Sequence, residues 1–209
     1  MGNAVVAKPS ELTPTTASML AEDFTLAGAP DGLFNVLHGR GAEAGDALVR
    51  HPDVRGVSFT GGTATGKAIA GAATPLFKKV SLELGGKNPS VVFADCDFDS
   101  TLEGIAKAAF FNSGQVCLCG SRILVEASIH DRLVEGLVKE AGKWESRIGP
   151  LISTGHRDKV ASYVKLAEGE GAEVRCGGVP VGPGVGSFFP PTVLCGLGHA
   201  SRAVQEEIF

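Results

Sequence analysis

The segment Val57-Ser58-Phe59-Thr60-Gly61-Gly62-Thr63-Ala64-Thr65-Gly66 joins a β-branched and aromatic run to a glycine pair and then to a helical pattern. We predict a strand over 56–60 and a helix over 64–73. Glycines at the carboxyl end of a strand let the backbone approach a phosphate, and the free N–H groups that open a helix favour anions. The glycine spacing matches neither the dinucleotide fingerprint nor a complete P-loop, because Ala68 stands where Ser or Thr is required. A strand-to-helix turn without a ligand is the alternative.

Strand and helix patterns alternate on both sides of this segment, which is typical of βαβ units and a mainly parallel sheet. Helices are predicted over residues 13–27, 42–50, 64–73, 97–111, 130–144, 153–168 and 203–209. Strands are predicted over residues 3–7, 33–37, 56–60, 79–84, 90–94, 122–126, 173–176 and 192–195. The order indicates an α/β fold with a Rossmann-like parallel sheet, followed by a second α/β region.

The composition is that of an ordinary globular chain. The 209 residues carry 19 Lys and Arg against 23 Asp and Glu, with 44% hydrophobic residues, which excludes collagen, coiled-coil and disordered classes. Without a basic cluster we expect no nucleic-acid partner, and without an apolar run of about 20 residues we expect no membrane span. Five cysteines, an odd number without disulfide-framework spacing, favour reduced thiols and the cytoplasm.

Cys117 lies in a glycine-bounded segment, Gly114-Gln115-Val116-Cys117-Leu118-Cys119-Gly120, between a predicted helix and a predicted strand. Loops on a rigid scaffold are where nucleophiles tend to lie, although a buried apolar thiol is the alternative. A metal site is disfavoured because no second Cys or His pair offers a zinc-ligand spacing. A Cys–His hydrolase is the rival enzyme interpretation, and it is disfavoured because none of the five His stands beside a Ser or Cys in a recognisable catalytic setting.

Three charged residues follow or occupy predicted strands. Lys8 and Glu11 come directly after the first strand, at the sheet edge where open α/β folds bind ligands; solvated surface charges are the alternative. Glu83 lies between leucines, so we expect it to be partly buried, and burial raises the pKa of a carboxyl toward the range of a general base. The alternative is that Glu83 alternates to the polar face of its strand.

Six motifs together resemble the NAD(P)-dependent aldehyde dehydrogenase family. In the family's order they are Lys8-Pro9-Ser10-Glu11, Phe59-Thr60-Gly61, Glu83-Leu84-Gly85-Gly86-Lys87, Gly114-Gln115-Val116-Cys117, Pro190-Pro191-Thr192-Val193 and Glu206-Glu207-Ile208-Phe209. The resemblance implies that residues 1–84 form part of a NAD-binding domain and residues 85–209 part of a catalytic domain.

The resemblance also implies the site residues. Cys117 matches the nucleophile and Glu83 the general base, with no metal. The implied cofactor contacts are Lys8 and Glu11 at the adenosine ribose, Gly62 and Thr63 at the diphosphate, Glu207 and Phe209 at the nicotinamide ribose, and in addition Gly61, Gly66, Leu84 and Gly85. NAD is expected rather than NADP, because the carboxylate of Glu11 would repel a 2′-phosphate.

The implied activity is oxidation of a small-molecule aldehyde to a carboxylic acid through a thiohemiacetal and a thioester on the cysteine. Segments 111–119 and 78–89 look most like the branch that oxidises 2-hydroxymuconic or 2-aminomuconic semialdehyde. The family resemblance further implies a homo-oligomer, a dimer or tetramer, when the protein is full length.

The chain departs from the family in length. Family members are more than twice as long, and the upstream segment that carries an oxyanion-hole Asn has no counterpart here, so we expect these residues to be a central fragment. The alternative function is therefore a truncated, catalytically inactive fragment that binds nucleotide.

Overall fold

The computed structural model describes residues 2–181 and 186–209; residue 1 of the expected NAD-binding domain and residues 182–185 of the expected catalytic domain lie outside this description. The chain divides into two compact units, Met1–Leu84 and Gly85–Phe209. The assignment of the first to cofactor binding and of the second to catalysis stays a prediction.

The first unit consists of two parallel strand pairs, each joined through a helix. Strand β1 (Val5–Ala7) pairs with β2 (Phe34–Val36), and helix α1 (Thr15–Leu26) lies between them in the chain. A short π-helix (Gly41–Gly45) and helix α2 (Asp46–Arg50) follow. Strand β3 (Gly56–Gly61) pairs with β4 (Lys79–Leu84) through helix α3 (Thr63–Ala73). Parallel neighbours need such crossover connections, so the predicted βαβ units are confirmed.

The second unit begins with a third parallel pair and ends with an antiparallel one. Strand β5 (Pro89–Val92) pairs with β6 (Arg122–Val125) through helix α4 (Phe98–Phe110). Helices α5 (His130–Trp144) and α6 (Thr154–Gly169) follow. Strands β7 (Glu173–Cys176) and β8 (Val193–Cys195) are antiparallel, and a short helix α7 (Arg202–Gln205) comes last.

Most of the buried apolar side chains belong to the second unit. Asp97 caps the start of helix α4, because its Oδ1 accepts a hydrogen bond from the N–H of Ser100 at 3.2 Å. Its apolar face packs with α5 in the main core cluster. The buried members of that cluster are Val92, Leu102, Ile105, Ala106, Phe110, Leu133, Leu137, Ala141 and Val193.

The predicted helix over residues 203–209 is present only as far as Gln205, and the prediction is wrong for residues 206–209. Helix α7 ends at Gln205, and Glu206 is extended with φ −91° and ψ 150°. The side chain of Glu206 is bound by Tyr163 of α6, a partner more than forty residues earlier that a local pattern does not reveal. None of the helices in the described part of the chain has the length and apolar character needed to cross a bilayer.

Candidate functional site

The turn between β3 and α3 is open at its helix end. Gly62 precedes the helix in an extended conformation, and no side chain caps the first turn. A Cβ added at Gly62 would meet no atom within 4 Å. The first N–H groups of a helix have no intrahelical partner and bind anions readily. This turn, which includes Thr63, therefore offers free N–H groups and open space of the kind that an anion requires.

Two further glycines of the turn are required by packing. A Cβ at Gly61 would lie 2.5 Å from the tip of the Phe59 ring, and a Cβ at Gly66 would overlap the side chain of Leu84. Gly66 therefore lets α3 lie close against β4. Gly61 and Leu84 are direct partners in the strand register, so these residues form one continuous edge beside the open turn.

Lys8 and Glu11 follow β1 as expected, but in different surroundings. The ammonium of Lys8 donates to the carbonyl oxygens of Gly39, at 3.1 Å, and Pro9, at 2.5 Å. Glu11 is exposed. Among the described residues, no hydrogen bond or ion pair joins the two side chains. Lys8 is thus held in place by backbone carbonyls, while the carboxylate of Glu11 is open to a ligand.

Glu83 lies next to the glycine turn, paired in register with Thr60. Its side chain lies on the exposed face of β4, while Leu82 and Leu84 lie on the half-buried face. The expected partial burial of Glu83 is therefore wrong for this chain, because strand alternation places the two leucines on the packed side.

Cys117 and Cys119 differ sharply in exposure. Cys117 is exposed, whereas Cys119 is 8% exposed and burial raises the pKa of its thiol. The side-chain amide of Asn88 donates to the carbonyl oxygens of both, at 2.6 and 3.1 Å. A buried apolar thiol is thus the correct interpretation for Cys119 and the wrong one for Cys117, which is available for chemistry.

A strained segment precedes Cys117. Asn112, Ser113 and Gly114 all have left-handed φ values, of 51°, 57° and 77°, and for a residue with a Cβ this conformation costs about 1–2 kcal/mol. The hydroxyl of Ser113 donates to the carbonyl of Gly149 at 2.8 Å. The side-chain oxygen of Gln115 accepts from the N–H of Ile152 at 2.9 Å. These bonds hold the strained turn in one conformation and so fix the backbone that leads to Cys117.

The second unit contains a cavity of about 490 Å³ beside Cys117. Its polar wall includes Lys87, Arg122 and Glu207, and Phe209 also lines it. Burial and the nearby Arg122 lower the pKa of Lys87 from 10.5 to about 8, while Glu207 acts in the opposite direction. The cavity thus combines an exposed thiol with a cation and a carboxylate.

Glu207 is packed against Gly85. A Cβ added at Gly85 would overlap the carboxylate of Glu207, so only glycine allows this approach. Phe209 lies edge-on to His156, with ring centroids 6.1 Å apart. The structure therefore brings Gly85, Cys117, Glu207 and Phe209 together in the second unit. The other predicted site residues lie in the first unit: Lys8, Glu11, Gly61, Gly62, Thr63, Gly66, Glu83 and Leu84.

Sequence reasoning assigned no role to several residues that shape this region. Lys87 and Asn88 directly follow the Gly85-Gly86 pair, and that adjacency was the signal available in the sequence. Arg122 fixes the backbone there, because its guanidinium donates to the carbonyl of Lys87 at 2.7 and 3.1 Å. Tyr163 gave no local signal, since its partner Glu206 is distant in the chain.

Comparison with known proteins adds three findings. The chain matches the aldehyde dehydrogenase family over residues 1–209. Over its whole length it is 48% identical to a 2-aminomuconic 6-semialdehyde dehydrogenase from a Pseudomonas species and 46% identical to a 2-hydroxymuconic semialdehyde dehydrogenase from Pseudomonas putida, covering 45% and 46% of those proteins.

A solved structure also has this fold. It is a crystal structure of betaine aldehyde dehydrogenase from Staphylococcus aureus in complex with NAD+, with a TM-score of 0.95 and 40% identity, covering 98% of this chain and 43% of that one. The predicted α/β fold with parallel sheets is confirmed. The chain spans less than half the length of the relatives it matches.

Proposed function

The chain belongs to the aldehyde dehydrogenase family, and from this premise we propose that the full-length protein oxidises an aldehyde to a carboxylic acid with NAD+. The observation that carries the proposal is that exposed Cys117 lines a cavity that Glu207 and Phe209 also line. Cys119, two residues away, lines the same cavity but is only 8% exposed, and burial raises the pKa of its thiol.

In this proposal Cys117 is the nucleophile. Its thiolate adds to the aldehyde carbon, forming a C–S bond and an oxyanion. The oxyanion needs hydrogen-bond donors, and in the described part of the chain the N–H of Cys117 donates to no other group. Asn88 donates to the carbonyl of Cys117 and so anchors the backbone on the carboxyl side of the nucleophile.

The first unit and Glu207 are proposed to hold the cofactor, which when bound accepts the hydride from the substrate carbon. The open turn at Gly62 and Thr63 would bind the diphosphate, and Lys8 and Glu11 the adenosine ribose. Glu207 and Phe209 would hold the nicotinamide ribose, with Gly61, Gly66, Leu84 and Gly85 shaping the binding surface.

Glu83 is proposed as the general base of the second half of the reaction. Its carboxylate takes a proton from a water molecule as the oxygen of that water attacks the thioester carbon. The C–S bond then breaks, the carboxylic acid leaves, and the thiolate of Cys117 is regenerated. Covalent catalysis thereby divides a difficult oxidation into two easier steps.

We propose NAD rather than NADP as the physiological cofactor because of Glu11. Its exposed carboxylate accepts hydrogen bonds from ribose hydroxyls but repels a 2′-phosphate. The ratio of kcat/KM for NAD+ to that for NADP+ should fall in Glu11→Gln. An unchanged ratio contradicts this assignment.

Muconic semialdehydes are the proposed substrates, supported by the 48% and 46% identity to the two muconic semialdehyde dehydrogenases. The test compares kcat/KM for 2-hydroxymuconic or 2-aminomuconic semialdehyde with that for betaine aldehyde and for simple alkanals. A clear preference for betaine aldehyde or alkanals overturns this substrate class.

The decisive test of the activity compares two cysteines of opposite exposure. In the full-length protein, Cys117→Ala should abolish aldehyde-dependent NADH formation. Cys119→Ala is the matched control and should retain turnover, because burial raises the pKa of the Cys119 thiol and only a thiolate attacks the aldehyde. Activity that survives in Cys117→Ala refutes the proposal.

The isolated 209-residue chain should be nearly inactive. Removing one oxyanion donor costs about 10²- to 10³-fold in kcat, and the family's upstream Asn has no counterpart in these residues. Robust NADH production by the isolated chain, abolished by Cys117→Ala, contradicts this expectation.

We also propose that the full-length protein is a cytoplasmic homo-oligomer. The five free cysteines are in keeping with a reducing compartment, and the oligomer rests on family resemblance. Light scattering of the full-length protein measures the assembly directly, and a monomeric mass contradicts it.

A further inference from the structure

The segment Glu206–Phe209 has no regular secondary structure, yet the carboxylate of Glu206 is bound from two helices. The hydroxyl of Tyr163, on α6, donates to Oε2 of Glu206 at 2.6 Å. The guanidinium of Arg202, on α7, donates from Nε to Oε1 at 2.8 Å and from Nη2 to Oε2 at 3.0 Å. Both oxygens of this carboxylate are therefore occupied.

Bidentate and charge-assisted bonds of this kind are the stronger ones. The hydrogen bonds from Arg202 and then from Tyr163 lower the pKa of Glu206 from 4.5 to about 2, so the carboxylate is charged at neutral pH. Tyr163 lies on α6 and is half-buried, and its hydroxyl reaches the segment Glu206–Phe209. We call the three side chains of Tyr163, Arg202 and Glu206 the carboxylate clamp.

The same face of α6 borders the rest of the segment. His156, Lys159 and Tyr163 are spaced by three and four residues, which places them on one side of a helix. The ammonium of Lys159 lies 3.4 Å from the carbonyl of Glu207, and the imidazole of His156 lies 3.0 Å from the carbonyl of Phe209. One face of helix α6 therefore contacts the segment Glu206–Phe209 at three of its residues.

Glu206, the residue that the clamp holds, directly precedes Glu207. The carboxylate of Glu207 is packed against Gly85, and Glu207 lines the cavity. A small rotation of the backbone at Glu206 would move that carboxylate away from Gly85. We propose that Tyr163 and Arg202 are positioning residues which, through Glu206, fix Glu207 and Phe209 for the nicotinamide half of the cofactor. This inference rests on the proposed function.

The test uses two nucleotides. NAD+ carries the nicotinamide ribose that Glu207 is proposed to bind, whereas ADP lacks it. In the full-length protein, Tyr163→Phe keeps the ring and removes the bond, and losing a bond of this type costs about 3- to 10-fold in affinity. We expect the Kd for NAD+ to rise by that factor and the Kd for ADP to stay unchanged.

Arg202→Gln should give a change of the same kind but smaller, because the Arg202 side chain is largely exposed and its charge is screened. Arg50→Gln is the matched control: Arg50 forms an exposed pair with Asp46 at the same four-residue spacing on α2. It should leave both dissociation constants unchanged. In a double-mutant cycle, Tyr163→Phe and Glu206→Gln should be non-additive.

A purely structural role for the clamp predicts a different pattern. Equal weakening of NAD+ and ADP binding in Tyr163→Phe, or no change in either, overturns the inference. Should the wild-type protein fail to bind NAD+, the proposed function itself is wrong, and the inference falls with it. Normal wild-type binding of NAD+ with an unaffected Tyr163→Phe overturns the inference alone.

Discussion

The two units of the chain differ in how much core they possess. In the described part of the first unit the buried apolar side chains are Val49 and Ala73, while Leu26 and Phe77 are strongly exposed. The second unit has one large buried cluster and a smaller one around Leu151. Burial of apolar surface is the main stabilising contribution in folding, so the second unit carries most of the stability.

The difference in core size corresponds to the local structures that the two units contain. The open glycine turn of the first unit depends on strand pairing and on two close glycine contacts, which a small core can support. The strained turn before Cys117 has two adjacent left-handed residues, and the combined strain is retained because hydrogen bonds of Ser113 and Gln115 anchor the turn. The strongly packed unit is the one that contains the strained residues Asn112 and Ser113.

The largest effect is expected from a truncation in the core of the second unit. Leu133, at 2% exposure, is in the main cluster, and Leu133→Ala should reduce the free energy of unfolding by about 2–5 kcal/mol. The measurement is urea unfolding followed by fluorescence of Trp144, which packs against Phe110 in that cluster.

A matched pair of valines tests whether that probe reports one unit. Val193 is 7% exposed in the second unit and Val49 is 6% exposed in the first. Val193→Ala should lower the midpoint of the Trp144 transition clearly more than Val49→Ala. Equal shifts contradict the separation of stability between the two units.

Glycine substitutions sharpen the comparison within single helices. A Cβ at Gly136 would lie 2.7 Å from Leu102, whereas a Cβ at Gly142 on the same helix α5 meets nothing. Gly136→Ala should destabilise the protein by about 1–3 kcal/mol through overpacking. Gly142→Ala should stabilise it by about 0.5–1 kcal/mol through helix propensity.

Helix α3 of the first unit contains the same kind of pair, Gly66 against Leu84 and the open Gly71. Gly66→Ala should cost less than Gly136→Ala, because a unit with a small core has more room to relax. Urea unfolding of all four variants, followed by circular dichroism, checks the order. A larger cost at Gly66 contradicts it.

Left-handed residues of the two units should respond differently to glycine. Phe77 has φ 54° and is 97% exposed, so Phe77→Gly relieves strain without losing contacts and should stabilise by about 0.5–1 kcal/mol. Ser113→Gly relieves similar strain but loses the bond to Gly149, so its net effect should be near zero. Thermal unfolding of both variants checks the difference, and an equal gain contradicts the anchoring role of Ser113.

The smallest effect concerns pH. The pKa of Lys87 is lowered to about 8 by burial and Arg122, so between that value and 10.5 the unfolded chain binds more protons than the folded one. Stability from Lys87 therefore rises with pH across this window. The Tm should show a component that increases from pH 8 to pH 10 and is absent in Lys87→Met, with exposed Lys139→Met as the control. An identical pH profile in Lys87→Met contradicts it.

Local patterns were sufficient for much of the fold. Helix α5 and strand β4 have the predicted bounds, because apolar periodicity and the flanking polar residues define them within the segment itself. The glycine turn after β3 and the exposed cysteine loop were likewise visible in the sequence. The motif order also identified the family.

Features decided by distant partners were not predictable. The exposed face of β4 at Glu83 depends on which side of the strand is covered. The end of α7 depends on Tyr163, and the left-handed turn at Ser113 depends on Gly149. Each of these requires a contact between residues that are 36 or 43 positions apart or a packing choice that no local pattern contains.

The most direct test of the central claim is the mass of an intermediate. Full-length Glu83→Gln, mixed with aldehyde and NAD+ and quenched rapidly, should release one equivalent of NADH. The peptide containing Cys117 should gain the mass of the aldehyde less two hydrogen atoms, as a thioester requires. Steady turnover by the wild-type protein with no adduct on Cys117 in Glu83→Gln, or an adduct on Cys119 instead, contradicts the account.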